Sequence, residues 1–291
     1  MEEQLATFLD YLQTTRNYSD NTTAAYRNDL NQFYKFLHNH PTTTYETWQE
    51  IDEATVTEYV QGITAKKYAS STIARKVAAI KSFFGFLNAH GHITADPSTD
   101  VDSPKIKKRL PKTLSTEEVE SLLAAPKDGD SPKNLRDIAL LQLLYATGLR
   151  VTELVSITVA DIDLPKKHLY CDPETSNERI LPLDNQTVQV LTTYLHNGRP
   201  HLTKKPDATP LFLNHRGQQL TRQGLWLIIK NYAKRANIKS KVTPHTLRHS
   251  FAAHKLNNGS ELEDIQKLLG HANISTTQIY AQLAEETNED A

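Results

Sequence analysis

The chain has 291 residues, more than one average domain needs, so two domains are expected. Apolar residues make up 38% and charged residues 23%, which excludes an intrinsically disordered or collagen-like chain. With 33 Lys and Arg against 34 Asp and Glu the net charge is −1, and that total argues against a nucleic-acid partner, because phosphate binding usually leaves a basic excess.

The opening MEEQLATFLDYLQ is acidic where a secretion signal would be basic, and no eighteen-residue apolar run occurs. A cytoplasmic chain with no membrane partner is therefore expected. Leu5, Phe8, Leu9 and Leu12 recur at helical spacing within residues 3–16. Ser19 or Asp20 can cap a second helix carrying Tyr26, Leu30, Phe33, Tyr34 and Leu37. Asp52 can cap a third with Val56, Tyr59, Val60 and Ile63, and Ser70 or Ser71 a fourth with Ile73, Val77, Ile80, Phe83, Phe84 and Leu87. These four helices define an N-terminal domain over 1–95. Residues 96–112, with STDVDSPKIKKRLPK, are polar, proline-bearing and aperiodic, which is linker composition.

The second domain, 113–291, opens with a capping box, Ser115 followed three residues on by Glu118. A buried helix over 137–148 follows, and HLYCD (168–172) and RILPL (179–183) read as a hairpin. Helices are expected over 186–196, 221–236, 246–257, 261–269 and 275–284. The fold class is mainly α, in two domains, with a small antiparallel sheet in the second. Cys171 is the only cysteine, so an internal disulfide and a Cys-based zinc cluster are excluded, and no metal is expected.

The neutral total hides a pattern. Residues 1–61 carry a charge of −7 and 62–112 carry +7; then 113–203 carry −5, 204–248 carry +9 and 249–291 carry −5. Two basic blocks sit inside an acidic chain, which keeps a polyanionic partner open.

Three short stretches stand out: ATGLRVTEL around Arg150, PHTLRHS with His245 and Arg248 on one helix face, and LLGH with His271 followed nine residues on by Tyr280. Each has a bland reading: Arg150 can pair with Glu153, His245 can cap a helix, and Tyr280 can fill a core. Together and in this order they resemble the tyrosine recombinase (phage integrase) family, most nearly its Xer subfamily, over almost the whole chain. The family's ordered set is Arg, Lys, His-x-x-Arg, His or Trp, and Tyr. Arg150, His245, Arg248, His271 and Tyr280 fall on five of those six places.

The resemblance implies a SAM-like helical core-binding domain, a linker and a mixed α/β catalytic domain that together clamp duplex DNA. It also implies cleavage by Tyr280 through a 3′-phosphotyrosyl link, with neither cofactor nor metal. A phenol with a pKa of about 10 is a poor nucleophile at neutral pH and needs cationic help. Arg150 and Arg248 would grip the phosphate oxygens, His245 would relay a proton, and His271 would donate to the phosphate. The family's lysine sits on the hairpin turn; aligned on Arg179 and ILPL, that position is Glu174. Lys166 and Lys167 lie at the far end of the first hairpin strand, roughly 17 Å away. The chain is therefore expected to use another acid, to act slowly or with a partner, or to bind DNA without cutting.

Lys66, Lys67, Arg75, Lys76, Lys105, Lys107, Lys108 and Arg109 are candidates for phosphate contacts, and Arg222 and Gln223, at a helix start, for reading bases. The resemblance further implies a duplex recombination site as partner and a tetramer on two such sites, alone or with a paralogue. A DNA-translocase activator and a C-terminal segment docked on a neighbouring protomer also belong to it. Rival readings are integration of a mobile element, a type IB topoisomerase-like enzyme, and a non-catalytic DNA-binding protein.

Overall fold

The computed structural model describes residues 1–66, 68–104, 110–126, 129–171 and 178–289, the last six of these as backbone only. The chain divides into two compact units, Met1–Lys108 and Arg109–Ala291.

The first unit contains α1 (Glu2–Thr14), α2 (Asp20–His38), α3 (Glu53–Ala65) and α4 (Ser70–Ala89). Ser19 and Asp52 cap α2 and α3 by accepting from the amides of Thr22 and Thr55, which satisfies donors that a helix start leaves open. The fourth helix differs from expectation: it starts at Ser70 with Ala69 as its cap residue, because the Ala69 carbonyl takes the amides of Thr72 and Ile73. The core gathers the expected apolar stripes around Phe8, Phe33, Phe83 and Phe84, with Trp48 wedged among them, while Tyr26 and Tyr34 stay at its rim.

The second unit contains α5 (Thr116–Ala124), α6 (Pro132–Thr147), α7 (Val151–Ser156), β1 (Ile162–Asp163), β2 (His168–Cys171) and β3 (Arg179–Pro182). It continues through α8 (Asn185–Thr193), α9 (Arg199–Leu202), α10 (Arg222–Arg235), α11 (Pro244–Asn257), α12 (Leu262–Leu269) and α13 (Gln278–Glu289). The Ser115–Glu118 capping box starts α5. Helix α6 carries Leu140, Leu141, Leu143 and Leu144, all buried, and packs against α8 and α11. The strands form one antiparallel sheet in the order β1-β2-β3, with Cys171 opposite Arg179 and His168 opposite Pro182. Lys166 and Lys167 therefore sit beyond the end of β2 remote from Arg179, paired with Asp163 and Asn185. A smaller apolar cluster of Phe251, Ala252, Ile265, Leu269 and Tyr280 joins α11, α12 and α13. No helix among the described residues is long and apolar enough to cross a membrane.

Candidate active site

The C-terminal end of α12 organises the site. Its last carbonyls have no partner inside the helix and form the negative end of its dipole. Gly270 follows in the left-handed conformation (φ 62°). Three guanidiniums converge on these carbonyls. Arg179, at the start of β3, donates Nε to Leu268 O at 2.9 Å. Arg248, from the first turns of α11, donates Nη2 to Leu269 O at 2.6 Å, and Arg150 donates Nη2 to Gly270 O at 2.6 Å.

Arg150 owes its place to the turn before it. Gly148 ends α6 with φ 61°, and a Cβ there would lie 2.5 Å from Phe251 Cδ1, so only glycine fits. Its carbonyl accepts Arg248 Nη1 at 2.6 Å. Arg150 then caps α7, while Glu153 one turn on returns a carboxylate to its amide (2.6 Å) and to Nη1 (2.8 Å). The oxygen that takes the Arg150 amide, Oε2, also takes Arg179 Nη2 at 2.9 Å. The bland pairing of Arg150 with Glu153 is thus real, and it holds the guanidinium in place rather than consuming it. Arg150 keeps 42% of its side chain exposed, whereas Arg248 is 5% exposed.

These groups bear on one another electrostatically. Burial works to raise the Glu153 carboxyl, but hydrogen bonds and charge from Arg179 and Arg150 outweigh it and hold the group below the carboxylate range. Burial, together with the charge of Arg150, pushes Arg248 down to about 10. Arg150 and Arg179 thus share Glu153, while Arg248 has no carboxylate partner among the described residues and keeps positive charge for an anion.

The tyrosine and two imidazoles lie beside this cluster. Tyr280, on the first turn of α13, is 2% exposed, and its hydroxyl is 2.9 Å from His249 Nδ1. Its ring runs nearly parallel to that of His271, with centroids 6.5 Å apart. Burial raises its phenol above the ordinary value, and Arg248 opposes this only in part. His271 Nε2 is 3.1 Å from Arg248 Nη2 and its Nδ1 is 2.9 Å from Thr277 Oγ1. A guanidinium can only donate, so Nε2 accepts and the proton sits on Nδ1, directed at Thr277. Burial first, then neighbouring cations, push both His249 and His271 down to about 4, so both rings are neutral at pH 7.

Of the sequence candidates, Arg150, Arg248, His271 and Tyr280 come together here. His245 is exposed and lines an adjoining groove of about 570 Å³ together with Arg150, Arg222, Gln223, Trp226 and Thr243. The imidazole that meets the phenol is His249 rather than His245; His249 follows His245 by four residues and Arg248 follows it by three, both spacings that share a helix face. Thr221 is the residue that caps α10, which leaves Arg222 and Gln223 exposed on the groove. Lys66 is exposed at the end of α3. Lys76 departs from the expected surface role: it is 3% exposed and binds Asp29 (2.9 Å) and Gln32 (2.7 Å), while Arg75 reaches the same Asp29 from outside. Its place was visible in spacing, since Ile73, Lys76, Val77 and Ile80 fall on one helical stripe. Glu174, Lys67, Lys105, Lys107, Lys108 and Arg109 lie outside the described residues.

Residues 112–287 match the model of the phage integrase family, and residues 5–91 match its N-terminal SAM-like domain. The chain belongs to the phage integrase family. Among members of that family it is 45% identical over 286 residues to "Tyrosine recombinase XerC" of Herpetosiphon aurantiacus, covering 98% of this chain and 92% of that protein. It is 41% identical over 285 residues to "Tyrosine recombinase XerD" of Halalkalibacterium halodurans, covering 98% and 94%. In fold it resembles the family's XerH site-specific recombinase in a post-cleavage complex with a palindromic difH substrate. The TM-score is 0.77 at 19% identity, covering 100% of this chain and 88% of that one. As a phage integrase family member of this kind the chain is a tyrosine-type DNA recombinase.

Proposed function

We propose that the protein cuts and rejoins duplex DNA at a specific site through a 3′-phosphotyrosyl intermediate, in the manner of Xer recombinases resolving chromosome or plasmid dimers. The observation that carries this reading is the convergence of Arg150, Arg248, His271 and Tyr280 at the end of α12, with the buried Arg248 held by carbonyls and His271. The phenol oxygen attacks phosphorus, a Tyr280–phosphate bond forms, and the bond to the 5′-oxygen breaks; the phenol proton and the proton for the leaving oxygen are exchanged with nearby acids and bases. Arg150 and Arg248 bind the non-bridging oxygens and offset charge in the five-coordinate transition state. His271 assists once a proton reaches Nε2, which in the resting structure accepts from Arg248. His245, on the exposed groove, is placed to exchange protons with a bound strand. Because the phosphotyrosyl link conserves the phosphodiester, rejoining needs no nucleotide.

The duplex would follow the groove of Arg150, Arg222, Gln223 and His245. Lys66, Lys67, Arg75, Lys105, Lys107, Lys108 and Arg109 would contact phosphates, with salt-sensitive affinity. Assembly as a tetramer on two sites, alone or with a paralogue, by docking of the C-terminal segment on a neighbour and under a DNA-translocase activator, belongs to the same reading. A nicked suicide substrate tests it: wild type should form a covalent adduct that Tyr280→Phe abolishes, and DNA binding without an adduct would refute it.

A second reading, a member that cuts slowly, is favoured by Glu174. A carboxylate with an ordinary pKa of about 4.3 has no proton to give at neutral pH. Glu174→Lys should raise the cleavage rate; an unchanged rate would show that the acid comes from elsewhere.

A further inference from the structure

The hydroxyl of Tyr280 touches one imidazole, and it belongs to a residue outside the ordered set of five. His249 follows Arg248 on α11, is half-buried, and lies one turn beyond His245 on the same face. Its Nδ1 meets the phenol at 2.9 Å with the two rings tilted by 50°. On its other side the Tyr280 ring lies against His271, and the Tyr280 amide donates to Thr277 O at 2.9 Å, while the Thr277 hydroxyl is held by His271. The nucleophile is therefore fastened at both ends of a short segment, ring to α11 and backbone to Thr277.

Two roles are open to an imidazole in that position: base for the attack, or keeper of the phenol proton. Geometry decides between them. With the side chain 2% exposed and packed among Phe251, Ile265 and Leu269, no phosphate can approach the hydroxyl in line where it now lies. Arg248 meanwhile commits three of its five donors to Gly148 O, Leu269 O and His271 Nε2. The proton balance agrees. Burial raises the phenol above its ordinary value and lowers His249 to about 4, so both shifts keep the proton on the phenol.

We infer that His249 is a positioning residue that holds Tyr280 protonated and withdrawn in the core, and that this hydrogen bond must break before strand cleavage. This rests on Tyr280 as nucleophile, but the latch itself can be measured without any reaction. With the phenol as donor, His249 accepts at Nδ1 and carries its own proton on Nε2.

The test uses the full-length protein and two variants, His249→Phe, which removes the partner, and His249→Asn, which sets an amide near the position of Nδ1. Nitration by tetranitromethane, mapped residue by residue by mass spectrometry, reports access to Tyr280. We expect wild type and His249→Asn to be protected there and His249→Phe to be modified several-fold faster. Adduct formation on the suicide substrate should rise about 2- to 10-fold in His249→Phe, the worth of one neutral hydrogen bond. Protection of Tyr280 unchanged in His249→Phe overturns the latch, as does a fall in adduct rate in both variants, which would make His249 a participant in the chemistry. If His249→Phe does not fold, protection of Tyr280 in His249→Asn still decides: retained protection supports the latch and rapid modification overturns it. The predicted nitration pattern with no adduct from wild type would leave the latch standing and remove Tyr280 as nucleophile.

Discussion

In the first unit Lys76 and Arg75 share the carboxylate of Asp29, with Gln32 taking a further donor of Lys76. In the second, Arg150 and Arg179 bind the carboxylate of Glu153 and also donate to Gly270 O and Leu268 O, while Arg248, with no carboxylate partner among the described residues, donates to Gly148 O and Leu269 O. Both arrangements satisfy donors, but they leave different fields. Asp29 cancels the buried ammonium of Lys76 and leaves the remaining charge on the 43%-exposed Arg75, whereas a carbonyl dipole satisfies the hydrogen-bonding demand of a buried guanidinium and leaves its charge. The cluster of the first unit is therefore a bolt between α2 and α4. That of the second retains attraction for an anion and can exchange a carbonyl for a phosphate oxygen.

This contrast can be broken by substitution, starting with the largest expected effects. Asp29→Ala strands a buried ammonium and should destabilise the first unit by about 3–5 kcal/mol, read by denaturant unfolding. Adduct formation under native conditions should change far less than stability. Arg248→Ala should lower strand cleavage by about 10²–10³-fold and also cost on the order of 2–4 kcal/mol of stability, because the carbonyls of Gly148 and Leu269 lose their donor. Arg150→Ala should lower cleavage as strongly while shifting the melting temperature little, since its side chain is 42% exposed. Equal melting shifts for the two arginines would erase the distinction drawn between them.

The histidines sharpen the comparison from another side. His249 and His271 titrate near 4 in the folded protein and near 6.5 when unfolded, so between those values the unfolded chain binds more protons. Stability from both rings is full above about pH 6.5 and is lost as pH falls toward 4. Equilibrium unfolding at pH 7, 5.5 and 4.5 should show this loss, and His249→Asn should reduce it. The smallest effect is expected for Arg222→Ala, which should weaken DNA binding and flatten its salt dependence without altering stability.

Much of this was legible from local chemistry. Caps at Ser19, Asp52 and Ser115 follow from side chains that bond the amides next to them, and Gly148 ends α6 because its backbone must turn left-handed. The helical spacing of His245 and Arg248 placed two site residues on one helix face, and the same spacing reached His249 had it been extended by one position. The capping of α12 by three arginines was not legible, because Arg150, Arg179 and Arg248 come from separate elements and meet only in the packed unit. Net charge misled for the same reason. The block totals count Lys76 as a surface charge, while its spacing with Ile73, Val77 and Ile80 marks it as part of the buried stripe.

Trapping on a nicked suicide substrate, with the adduct digested and its phosphotyrosyl peptide sequenced by mass spectrometry, shows which residue attacks the strand. A single adduct is expected, on Tyr280, absent from Tyr280→Phe and reduced at least a hundredfold in Arg150→Ala and Arg248→Ala. An adduct that persists in Tyr280→Phe, or a wild-type protein that binds the site and forms none, would contradict it.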